Sequence, residues 1–201
     1  MIEEMNILIA GVGGQGALTL TGILADAAMK MDIKVVAGEV HGMAQRGGSV
    51  FVHLRMGKKV YGPIIPLGRA DVIVSLEMVE ALRYLDFLSD DGTIIVSKTK
   101  MVPPIVWSGM ETYPEEDAVI EQYKKFSKDI YLIDSLKIAK QTGNPLTANI
   151  VLLGSMSGCF KLPFEKDVLL ESLTSRISSK IRDVNIKAFE IGWQEAKHCK
   201  L

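Results

Sequence analysis

Residues 5–31 read MNILIAGVGGQGALTLTGILADAAMKM, and this stretch decides the fold. MNILIAG is a short apolar run of strand type. Beyond it Leu18, Leu20, Ile23, Leu24, Ala27 and Ala28 recur near the spacing that gives a helix one apolar face. Between the two lies Gly11-x-Gly13-x-x-Gly16, following a strand and opening a helix, the setting in which that motif carries information. Glycines there let backbone N–H groups approach a phosphate at the positive end of the helix. IKVVAGE then reads as a second buried strand, so the chain opens with a β-α-β unit.

The same alternation of strand and helix continues. SVFVHLR places Val50, Val52 and Leu54 on one face and Ser49, Phe51, His53 and Arg55 on the other, a strand with one face less buried. MGKK is a hairpin turn leading into VYGPII. ADVIVSL is a strand, EMVEALRYLDFL a helix, SDDG a turn and TIIVS another strand. VPPIVW is extended, because paired prolines exclude a helix. YPEEDAVIEQYKKFS is a helix with acids in its first turn, and DIYLID a strand. Four helical segments follow: SLKIAKQTG, TANIVLLGSMSGCF, FEKDVLLESLTSRISSKI and VNIKAFEIGWQEAKHC. The sum is a single domain over residues 1–201 of the α/β class: a Rossmann-like, mostly parallel sheet flanked by helices, with a helical C-terminal third.

The totals exclude several classes of function. The 201 residues are 48% hydrophobic and 23% charged, enough to bury a core without staples. A net charge of −1 gives no general pull toward nucleic acid or acidic lipid. No apolar run reaches the roughly 18 residues that span a bilayer, and Glu3 and Glu4 stand where a secretory signal needs positive charge. Cys159 and Cys199 follow no ligand spacing, so no metal site is expected, and two free thiols suit the reducing cytoplasm.

Residues 41–50, HGMAQRGGSV, concentrate the polar chemistry. Arg46 offers a planar, permanently charged fork for a carboxylate or phosphate. Gly47 and Gly48 allow close backbone approach and a nest of N–H donors, and Ser49 adds a hydroxyl. His41 can orient a group or move a proton, and Gln45 both donates and accepts. The glycine turn leaves three readings open. It binds a phosphate-bearing ligand, with the Gln15 amide near the phosphate; or a dinucleotide, with Glu39 on the ribose; or nothing. His53 reads as a polar surface or interface residue, Glu77 and Glu80 as helix-start acids, Asp134 as a helix cap and Asn149 as a cap or interface residue. His198 and Cys199 read as an unstructured end.

Taken together, GVGGQG at 11–16, ILA at 23–25, HGMAQRGGSV, ADVIVSLE at 70–77, EALRYL at 80–85, Tyr113-Pro114 and Asn149 ahead of Leu153-Gly154 resemble the gamma-type subunits of 2-oxoacid:ferredoxin oxidoreductases. The residues just before Arg46-Gly47-Gly48 favour the branch acting on indolepyruvate and other arylpyruvates. The resemblance implies a subunit, with no cofactor held by this chain alone. Thiamine diphosphate, magnesium and [4Fe-4S] clusters belong to a larger alpha subunit, ferredoxin accepts the electrons, and coenzyme A is the co-substrate. The chain has no G-D-G with a following N-N segment, and no cluster cysteines. On this reading His41, Gln45 and Arg46 are the catalytic candidates. Gly11, Gly13, Gly14, Gln15, Gly16, Gly47, Gly48 and Ser49 are the cofactor-binding candidates. A free-standing nucleotide-binding dehydrogenase and a noncatalytic assembly module are the alternatives.

Overall fold

β1 (Met5–Val12) is apolar on both faces, with Ile7, Leu8, Ile9 and Ala10 wholly buried, which is what a central strand covered on both sides requires. The computed structural model describes residues 2–42 and 47–201. The remaining strands are β2 (Val35–His41), β3 (Ser49–Met56), β4 (Ala70–Ser75), β5 (Leu88–Ser97) and β6 (Asp129–Ile133). They form one sheet in the order β2-β3-β1-β4-β5-β6. β1, β4, β5 and β6 pair in parallel, whereas β3 lies antiparallel to both β1 and β2. A single strand therefore runs against an otherwise parallel set.

After β1, α1 (Ala17–Lys30) carries the chain across the position of β3 to β2, and β3 returns between them. β2 is thus an edge strand, and its residues are half-buried or exposed instead of buried as expected. α1, α5 (Ala148–Cys159), α6 (Lys166–Arg176) and α7 (Arg182–Glu195) cover one face of the sheet. Leu20, Ile23, Leu24, Val151, Leu152 and Phe189 pack there on Ile7, Ile9, Val52, Leu54, Val72 and Val74. Each such side chain contributes about 1.5–3 kcal/mol on burial. Leu18, assigned to the apolar face by spacing, is 43% exposed at the mouth of the glycine turn. The other face is covered by a 3-10 helix (Glu80–Phe87) and α3 (Glu116–Tyr123), through Tyr84, Leu85, Val119 and Tyr123.

Connections leave β1 on one face and β4 on the other, so a crevice opens at their carboxyl ends, where α/β sheets bind ligands. Elsewhere the chain departs from its sequence pattern for local reasons. Pro104 sits at the first position of a short α2 (Pro104–Trp107), where a missing N–H costs nothing. VYGPII is a loop plugged by Val60 and Ile65, and the Arg55 guanidinium donates to the carbonyls of Gly62 and Ile64, both at 3.0 Å. SDDG is absorbed into β5 as an irregularity, since β4 advances from Ala70 to Val72 while β5 advances from Leu88 to Thr93. Asp134 caps α4 (Ser135–Thr142) as expected, accepting from the Lys137 N–H at 3.2 Å. The chain end is ordered along β6, where Leu132 N–H donates to Cys199 at 3.1 Å and Leu201 N–H to Ile130 at 2.9 Å. No helix among the described residues is long and apolar enough to cross a membrane.

Candidate functional site

The turn between β1 and α1 depends on Gly14 (φ +100°) and Gly16 (φ +88°), both in the left-handed region that glycine enters without penalty. A Cβ on Gly16 would also lie 2.4 Å from the Asn149 side-chain nitrogen. Asn149 thus belongs to the wall behind the turn, its amide oxygen accepting from the Ile150 N–H at 2.9 Å. Gln15 does not point toward a ligand. Its Oε1 accepts from the Val12 N–H at 2.8 Å and its Nε2 donates to the Leu76 carbonyl at 3.0 Å. The side chain is a staple between the end of β1 and the residue following β4, across the crevice. Gly11 is buried behind it, where a Cβ would meet Gln15 Oε1 at 3.0 Å and Leu76 at 3.1 Å, so its absent side chain makes room for the staple.

A cavity of about 300 Å³ opens beside the turn, lined by Val12, Gly13, Gly14, Gly16, Ala17, Leu18, His41 and Val50. It joins the two motifs that sequence placed apart. Both ends of the segment 42–48 are tied here: Gly42 N–H donates to the Ser49 carbonyl at 2.9 Å, and Gly13 N–H to the Gly48 carbonyl at 2.8 Å. His41 is half exposed, with Nε2 3.4 Å from Glu39 Oε2, so Glu39 faces the histidine. Gly47 is exposed with φ +77°. The predicted Gln45 and Arg46, and Met43, lie outside the described residues. A second cavity of about 300 Å³ lies beyond the Gln15 staple, between Thr99–Met101 and Leu146–Asn149. A larger one, about 410 Å³, is at the opposite end of the sheet among Asp90–Gly92 and Lys124–Asp129 and touches neither motif.

Ser49 is absent from the first cavity's lining. Its hydroxyl turns to the opposite sheet face, donating to Glu80 Oε2 at 2.5 Å and meeting the Tyr84 hydroxyl at 2.9 Å. Arg83 Nε donates to the other Glu80 oxygen at 3.1 Å. Burial, more than the Ser49 contact opposing it, pushes the Tyr84 phenol up. Glu77, 2% exposed, accepts from the N–H groups of Val79 (2.7 Å), Glu80 (3.0 Å) and Met101 (3.1 Å) and from the Tyr113 hydroxyl (2.5 Å). Four donors satisfy that buried carboxylate. Burial and then Glu77 push the Tyr113 phenol up. The helix-start reading of Glu77 describes two of these donors and misses the other two. The reading of Glu80 misses Ser49, because the pairing joins residues 31 apart in sequence.

His53 is buried, not a surface group. Its ring lies 5.3 Å from both the Phe51 and Phe87 rings, its Nδ1 accepts from the Ile65 N–H at 3.4 Å, and burial lowers its pKa. Among the described residues no three His, Cys, Asp or Glu side chains converge to hold a metal ion. Burial pushes the Cys159 thiol up to about 12 and the Cys199 thiol upward, which disfavours a free thiolate at either position.

Comparison with known proteins agrees with this architecture. The chain is 43% identical over 193 residues to indolepyruvate oxidoreductase subunit IorB of Archaeoglobus fulgidus, covering 96% of each chain. It is 28% identical to the common gamma subunit of the pyruvate/ketoisovalerate oxidoreductases of Pyrococcus abyssi, over 92% of this chain and 96% of that one. The keto/oxoacid ferredoxin oxidoreductase gamma subunit of Geobacter sulfurreducens has the same fold, with a TM-score of 0.70 at 24% identity and full coverage of both chains. The 2-oxoglutarate:ferredoxin oxidoreductase of Magnetococcus marinus, solved with coenzyme A bound, matches with a TM-score of 0.75 at 19% identity, over 98% of this chain and 32% of its own. The model of the pyruvate ferredoxin/flavodoxin oxidoreductase family matches residues 6–195, and the chain belongs to that family.

Proposed function

We propose that this chain is the small subunit of a cytoplasmic, ferredoxin-dependent 2-oxoacid oxidoreductase that converts indolepyruvate and other arylpyruvates to acyl-coenzyme A thioesters. The carrying observation is the gap in identity: 37–43% to four indolepyruvate oxidoreductase subunits against 26–29% to pyruvate-type subunits. Thiamine diphosphate, magnesium and [4Fe-4S] clusters reside on the larger alpha subunit, supplying decarboxylation and electron transfer to ferredoxin when bound.

Within the complex, the cavity beside the glycine turn receives the phosphate-bearing end of coenzyme A. Gly13, Gly14 and Gly16 present backbone at the start of α1, with the positive end of the helix dipole behind them. His41 borders the cavity, and Gln45, Arg46, Gly47 and Gly48 supply donors from the adjoining segment. Ser49 and Gln15 are held within the chain and support this site from behind.

Anaerobic affinity purification followed by turnover assays tests the proposal. A large partner should accompany the chain with iron and thiamine diphosphate, and the complex should turn over indolepyruvate faster than pyruvate or 2-oxoglutarate. Preference for pyruvate would refute the arylpyruvate assignment. R46A should raise KM for coenzyme A at least tenfold and leave KM for the 2-oxo acid near its starting value, on the scale of a lost hydrogen bond to a charged group.

A further inference from the structure

Ser49 is where three ties meet. Its carbonyl takes the Gly42 N–H, the preceding carbonyl of Gly48 takes the Gly13 N–H, and its own hydroxyl donates to Glu80. The first tie joins Gly42 to Ser49 where β2 ends and β3 begins, and the second fastens Gly48 to the floor of the cavity beside the glycine turn. The third leaves the sheet on the opposite face, where Glu80 is buried in the first turn of the 3-10 helix. Tyr84, one turn later, reaches the same hydroxyl at 2.9 Å and stacks at 4.4 Å on Phe51, two residues along β3. Arg83 holds the second carboxylate oxygen. A carboxylate accepting a short hydroxyl bond in a buried setting is a strong and directional tether.

We infer that Glu80 is a positioning residue for the rim of this cavity: through Ser49 Oγ it fixes the end of β3, and with it the Gly42 and Gly48 ties that hold His41 and Gly13 at the cavity. The inference rests on the coenzyme reading above only for the ligand that the cavity receives. The tether spans the thickness of the sheet, so Glu80 acts on the cavity without touching what binds there.

The test uses the intact complex carrying S49A, S49T or E80Q in the small subunit, with hydrogen exchange at Gly13 and Gly42 read beside steady-state kinetics. S49A removes the donor; E80Q keeps the shape and removes the charge; S49T keeps a hydroxyl on a strand-favouring side chain. In S49A and E80Q the two amides should exchange faster and KM for coenzyme A should rise roughly tenfold with kcat within about twofold, and S49T should restore both readouts. Faster exchange with an unmoved KM for coenzyme A would overturn the coenzyme assignment while the positioning role stands. Unchanged exchange in S49A and E80Q would overturn the positioning role itself. So would loss of the partner subunit from both variants, since Glu80 would then be a general prop of the fold.

Discussion

At the scale of single residues, the alternation of β3 is legible and the environment of its second face is not. His53 falls on the face that sequence assigns to lesser burial, yet the VYGPII loop and the 3-10 helix close over it. The buried imidazole is held neutral, accepting at Nδ1 from Ile65, and its folded pKa lies below the ordinary 6.5. The unfolded chain therefore takes up a proton near pH 6.5 that the folded chain refuses, and stability falls as pH drops below that value. The slope is bounded by one proton, about 1.4 kcal/mol per pH unit. H53Q should be less stable than the parent at pH 7.5 and should lose less stability between pH 7.5 and 5.5. Urea unfolding at the two pH values measures this; equal losses in both proteins would assign the acid sensitivity elsewhere. Gln15 and Ser49 carry a related lesson. Their residue types announce polar chemistry, but which partners they take is decided by Leu76 and Glu80, far along the chain.

At the scale of elements, the four helical segments of the C-terminal third are legible, and α4 to α7 fall within a few residues of them, although α5 is buried on all sides, not along one face. The reason for the glycines inside those helices is not readable, since it depends on which helix crosses which. α5 and α7 cross so closely that a Cβ on Gly154 would sit 2.1 Å from the Phe189 carbonyl oxygen, and one on Gly192 would sit 2.1 Å from that of Val151. Both obstacles are backbone and cannot turn aside. Ser155 joins the same crossing, donating to the Gly192 carbonyl at 3.0 Å. In a free helix, alanine would beat glycine by up to about 1 kcal/mol. Here the sign reverses, because the helices must part and their buried contacts loosen. G154A and G192A should each destabilise the protein by about 1–3 kcal/mol or more. Chemical denaturation reads this as a lower midpoint with little change in slope. A gain in stability in either variant would mean the helices are free to separate.

At the scale of the whole molecule, the class is legible from its alternating apolar runs, but strand direction is not, because an apolar run reads alike in either direction. β3 is inserted antiparallel between β1 and β2, and this brings His41 at the end of β2 and Gly48 ahead of β3 together beside the glycine turn. The candidate site exists because of that reversal. It also fixes the two edges of the sheet, which differ. β2 forms one edge. At the other, residues 199–201 lie along β6, where the backbone bonds from Leu132 to Cys199 and from Leu201 to Ile130 occupy groups that a free edge would offer to another chain. The Lys200–Asp129 ion pair beside them is about half exposed and adds little. Deleting residues 199–201 should therefore cost about 1–2 kcal/mol, the scale of two backbone bonds. It should speed hydrogen exchange at Leu132 and make the chain associate as its concentration rises, because an unpaired edge is a template for strand addition. Sedimentation over a concentration series, with exchange at Leu132, distinguishes the cases. Unchanged exchange would show that these residues do not protect the edge, and faster exchange without association would show that Lys128 and Asp129 suffice to keep other strands away.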